Sequence, residues 1–109
     1  MRLFRPALCL LLLVFAGGAL AATSWDGTWG GGQNGDGIQI VIADNRAIGV
    51  ARGDSYPEIL SSAASPEGTM FIVWWVGGDG LLQRTGEREA TIILRERDKP
   101  PRSFALQRD

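Results

Sequence analysis

The chain has 109 residues, 45 % of them apolar, with a net charge of −1, no histidine and one cysteine. That composition excludes the usual general base near neutral pH, a disulfide framework and the clustered positive charge of a nucleic-acid binder. It suits one small domain.

Arg2 and Arg5 precede an apolar run from Leu8 to Phe15, and Ala19-Leu20-Ala21 supplies the small-x-small pattern that a signal peptidase reads. The run is too short for a comfortable membrane span, and Cys9 lies inside it rather than at a lipoprotein cleavage point. The expectation is a cleaved signal peptide over 1–21 and a mature domain over 22–109, periplasmic or secreted, with no stable membrane anchor. Cleavage removes the only cysteine, so the core alone must supply stability. It also removes Arg2 and Arg5, leaving nine basic and twelve acidic groups. Residues 22–78 then hold Arg46 and Arg52 against six acids, whereas residues 79–109 hold seven basic groups against six acids.

Residues 25–37, WDGTWGGGQNGDG, open the mature chain. Gly30 to Gly35 formally matches GxGxxG, but a dinucleotide loop must open a helix, and this one leads into a strand pattern. Gly31 to Asp36 is similar to a calcium-binding β-roll repeat, yet it occurs once and such sites share calcium between stacked turns. Neither a nucleotide nor a metal site is expected.

Ile38 to Ala43 places three isoleucines on one face at period two, the signature of a strand. Asp44-Asn45 suits a two-residue hairpin turn, and Arg46 to Arg52 returns with Ile48 and Val50 on one face. Ser55 to Ala63 is a weaker strand, because Pro57 cannot donate to a ladder. Met70 to Val76 is the strongest apolar run, and Gly77-Gly78-Asp79-Gly80 ends it as a loop. Leu81 to Thr85 and Glu89 to Arg97 form a hairpin around Gly86-Glu87, whose mixed charges suit a solvated surface. A turn at Asp98 to Pro101 leads to a last strand over 103–108. The fold class is therefore all-β: a single antiparallel meander of 6–8 strands, curling into a barrel or half-barrel that hides its apolar face and edges. Expected interior residues are Trp29, Ile38, Ile40, Ile42, Ile48, Val50, Phe71 or Ile72, Ile92, Leu94, Phe104 and Leu106.

Gly27-Thr28-Trp29 resembles the G-x-W element that opens the first strand of the calycins, the lipocalin, fatty-acid-binding and avidin families. The resemblance implies a calycin-like barrel in which an arginine near the chain end packs over the tryptophan. Arg108 is the candidate, so Trp29 and Arg108 are the expected closure residues. Gly27 to Gly53 is similar to the opening hairpin of an avidin, but an ungapped match puts Gly31, Gly35 and Ala51 where avidins hydrogen-bond biotin. Biotin binding does not carry over.

Serines 55, 61, 62, 65 and 103 have no histidine to activate them, and Lys99 sits beside two prolines in a turn. Asp54 and Glu58 could pair, but a glycosidase needs such a pair across a cleft that so small a chain hardly builds. No enzymatic activity and no cofactor are expected. Trp74 and Trp75 must point to opposite faces of their strand. Whichever lies outside is covered by a loop, the N-terminal segment or a homodimer, or it contacts a partner. Trp25 either plugs a barrel end or joins the same patch. Trp74, Trp75 and Trp25 are thus the candidate contacts of a non-catalytic binding or interaction module for a small molecule or a protein. Two alternatives are an inhibitor of a periplasmic protease or lysozyme-type enzyme, inserting Gly30 to Gly37 or Gly77 to Gly80, and a structural envelope protein.

Overall fold

The computed structural model describes residues 24–32 and 37–109; the expected signal peptide lies outside them. Eight strands follow in order: β1 Gly27–Gly31, β2 Ile38–Ala43, β3 Arg46–Arg52, β4 Ile59–Ala64, β5 Met70–Trp75, β6 Gly78–Gly86, β7 Glu89–Glu96 and β8 Arg102–Arg108. All pairings are antiparallel, in the sheet order β3-β2-β1-β8-β7-β6-β5-β4. The first strand therefore pairs with the last, with Trp29 opposite Arg108 and Gly31 opposite Leu106. The sheet curls into a nearly closed barrel whose seam lies between β3 and β4. These two have no backbone ladder between them, and the Ala47 N–H donates across the gap to Ser62 Oγ at 2.9 Å.

Asp44 and Asn45 take φ of 55° and 56°, as the tight β2–β3 hairpin turn requires. The Gly77–Gly80 stretch differs from expectation, because Gly78 and Gly80 lie inside β6. A Cβ on Gly78 would stand 2.7 Å from the Arg95 carbonyl oxygen and 3.0 Å from Trp75 Nε1, and one on Gly80 would stand 2.9 Å from Ile92 Cδ1. These glycines make room for the Trp75 indole rather than bend the chain.

Side chains fill the interior. Trp25, Trp29, Phe71, Val73, Trp75, Leu82, Ala90, Ile92, Leu94 and Leu106 join the isoleucines of β2 and Val50 in one buried cluster, with Phe104 packed against it. Phe71 rather than Ile72 faces inward. Ile48 does not: it is 64 % exposed. Val41 pairs with Gly49 and Ile42 with Ala47, so Ile48 is the extra residue of a β-bulge. A bulge shifts the two-residue alternation by one, which turns Ala47 inward and Ile48 outward.

Trp29 sits at the β1–β8 closure with no exposed surface. Trp29→Ala should lower unfolding free energy by about 3–5 kcal/mol, measured by denaturant titration followed by circular dichroism.

Candidate functional site

One barrel end is sealed by aromatic rings and guanidinium groups. The Trp25 and Trp29 ring centroids are 5.2 Å apart, and Phe71 packs 5.8 Å from Trp25. Trp29 Nε1–H donates to the Trp25 carbonyl at 2.8 Å, and the Trp25 N–H donates to Asn45 Oδ1 at 2.8 Å. Asn45 N–H in turn donates to Asp26 Oδ1, which ties the entering chain to the β2–β3 turn. The Arg108 guanidinium carbon lies 5.0 Å from the Trp29 centroid, and that of Arg84 lies 4.8 Å from Trp25 and 5.3 Å from Trp29. Both arginines direct their N–H groups at main-chain carbonyls: Arg84 at Ser24, Gly86 and Glu87, Arg108 at Ser24, Asp26 and Glu87. Burial, and then the neighbouring Arg108 charge, lower the pKa of Arg84; Glu87 opposes this. Gly27 has φ +133°, and a Cβ there would stand 2.7 Å from Arg108 Cδ. The glycine of G-x-W therefore lets the arginine stem lie across the barrel end.

The other end carries an ion-pair cluster. Arg52 Nε and Nη2 donate to Glu96 Oε2 and Oε1 at 2.7 and 2.8 Å, a forked geometry that favours the carboxylate. Arg102 Nη2 adds a bond to Oε1 at 2.6 Å, and Arg52 Nη1 reaches the Gly37 carbonyl at 2.6 Å. The Arg52 hydrogen bonds, assisted by those of Arg102 and by both positive charges, outweigh burial and hold the Glu96 carboxyl well below its ordinary 4.5, at about 2. This cluster ties β3 to β7 and β8; nothing in the spacing of residues 52, 96 and 102 announces it.

The remaining candidate surface is the outer wall along the seam. Trp74 reaches solvent, whereas Trp75 and Trp25 are buried, so the three expected contacts do not share a patch. Trp74 pairs with Ser61, and the step from Ile59 to Ser61 bulges at Leu60, which is thrown outward. Each strand facing the seam thus has a bulge that exposes a large aliphatic residue, Ile48 on β3 and Leu60 on β4. Among the described residues, Tyr56, Met70 and Val76 complete the exposed large hydrophobics, all on β3, β4, β5 or their connections. A concavity of about 400 Å³ along the seam is lined by Val41, Ile48, Val50, Tyr56, Pro57 and Ile59 among others. A second, of about 330 Å³, lies between Ala63, Met70, Ile72 and Leu81. A third, of about 610 Å³, lies over the outer face of β1 beside Gly30, Gln39, Tyr56 and Gln107.

The chain matches no family model, no curated protein and no solved structure. Its own geometry therefore carries the functional reading. Among the described residues, no group of three or more His, Cys, Asp or Glu side chains converges as metal ligands would. The Gly78 and Gly80 backbone is committed to β6, and residues 33–36 of the other suggested inserting loop lie outside the described residues. What sequence reasoning missed was Ile48, Leu60 and Tyr56. The strongest available signal was Pro57, which keeps the chain before β4 out of a ladder.

Because the Glu96 pKa is depressed in the folded state, its stabilisation is complete above pH 4.5 and lost as pH falls toward 2. Glu96→Gln should cost about 2 kcal/mol at pH 7, less than a fully buried pair, and the difference from the parent should vanish near pH 2 in acid-dependent melting. Acrylamide should quench only Trp74, and Trp74→Phe should abolish the quenchable fraction of the fluorescence.

Proposed function

We propose that this protein is an exported, non-catalytic interaction module of calycin-like build, released from its signal peptide and active in the periplasm or outside the cell. It docks a protein partner on the wall formed by β3, β4 and β5. The supporting observation is that side chains fill the barrel while the large exposed apolar residues gather on one wall. Scattered surface hydrophobics need no explanation, but contiguous ones mark interaction sites. Several of these adjoin one another. Val76 N–H donates to the Glu58 carbonyl, Trp74 pairs with Ser61 beside Leu60, and Ile48 lines the same groove as Tyr56. A filled interior favours a partner held outside over a small molecule carried within. The absence of histidine and cysteine from residues 22–109 supports a role without catalysis.

A photo-cross-linking residue, p-benzoylphenylalanine, placed at Leu60 in the full-length chain and expressed in its own host, should give one discrete adduct on irradiation. The same residue at Ser103, exposed on β8 away from the seam, should give none. Silence at position 60, or identical adducts from both positions, would refute the docking wall.

A further inference from the structure

We infer that the partner of the seam wall is a cationic protein surface: an apolar centre that meets Ile48, Leu60 and Trp74, ringed by Lys and Arg. The inference rests on the docking reading above and adds the chemistry of the partner. It comes from the charges bordering the apolar residues. Asp44 in the β2–β3 turn and Glu67 in the β4–β5 turn border the wall at one end. Asp54 and Glu58, in the β3–β4 connection, border it at the other. All four are exposed. Arg46 is the one exposed cation on these elements, since the Arg52 guanidinium is engaged by Glu96 and the Gly37 carbonyl. On the neighbouring strand β6, Asp79 already pairs with Arg95 at 3.0 Å.

The rim is thus acidic at both ends, and this chooses between occupants. A second copy placed face to face would bring acid against acid, whether its strands ran parallel or antiparallel to the first. Like charges brought together at a rim suppress association, whereas opposite ones steer it. A basic partner meets complementary charge at both ends and gains apolar contact in the middle. The opposite side of the barrel offers no such field. Residues 79–109 nearly balance their charges, and several are consumed internally by the Glu96 cluster and the tryptophan stack. The bulges also matter here. They break the regular ladder of both edge strands, so the wall presents side chains and their charges rather than a free backbone edge to the partner.

The test uses the same full-length chain with the cross-linker at position 60. Asp44→Asn, Asp54→Asn, Glu58→Gln and Glu67→Gln are combined to neutralise the rim, with Glu89→Gln and Asp109→Asn as controls away from the wall. All six positions are exposed, and thermal melting confirms that the variants fold. Adduct yield in envelope extracts should fall about tenfold in the rim variant, and about as much when salt is raised from about 0.05 M to about 0.5 M, as screening of rim charges predicts. The controls should match the parent. An adduct of undiminished yield in the rim variant and at high salt overturns the cationic partner while leaving the docking wall in place. An adduct of twice the chain's own mass identifies a second copy and also overturns it. Absence of any adduct in the parent removes the docking reading, and this inference with it.

Discussion

The barrel depends on the stacking of two guanidinium groups on two indoles where the first strand meets the last. Arg108 lies over Trp29 from the adjoining strand, and Arg84 spans Trp25 and Trp29 from β6. An arginine can cap an apolar core this way because its flat face is weakly hydrated while its edge N–H groups still need acceptors. The acceptors here are main-chain carbonyls of Ser24, Asp26, Gly86 and Glu87, which a chain passing over a barrel end leaves unpaired. One set of contacts thus excludes water from the core, satisfies backbone oxygens and locks β1 against β8. Without a disulfide to limit the unfolded chain, such multiple use of each side chain is how a small domain reaches stability.

Closing the sheet at β1 and β8 moves its two ends to the middle of the chain. β3 and β4 become edges, and edges are liabilities because unpaired N–H and C=O groups recruit other strands. Bulges on both strands address that hazard, and the Ala47–Ser62 hydrogen bond spans the gap with a side chain. The remedy exposes Ile48 and Leu60. A device that protects against strand pairing therefore creates an apolar surface, and exposed acidic residues stand in the turns at its ends. Fold and proposed function share one origin in the position of the seam.

The two barrel ends are built from different physics. The tryptophan end relies on stacking and burial, which change little with pH. The Glu96 end relies on a carboxylate held in a fork of Arg52 with Arg102 beside it, so its strength follows the ionisation of one group. Protonation of Glu96, near pH 2, therefore removes the carboxylate that ties β3 to β7 and β8.

Local sequence determined much of this protein. Alternation of isoleucines in β2, the Asp44-Asn45 turn and the aromatic run of β5 specify strands and hairpins, because neighbouring residues alone decide those preferences. Gly27-Thr28-Trp29 pointed to a barrel entrance, and Arg108 to its cap. The tertiary structure decided which of two adjacent tryptophans is inside, where the sheet opens, and that Gly78 and Gly80 serve packing rather than a turn. It also turned Ile48 outward against its alternation. Period two fixes only that neighbours face opposite ways; which way depends on register with a partner strand, and a single bulge resets it. The candidate surface lies where those long-range registers slip, so its members could not be read from their neighbours in the chain.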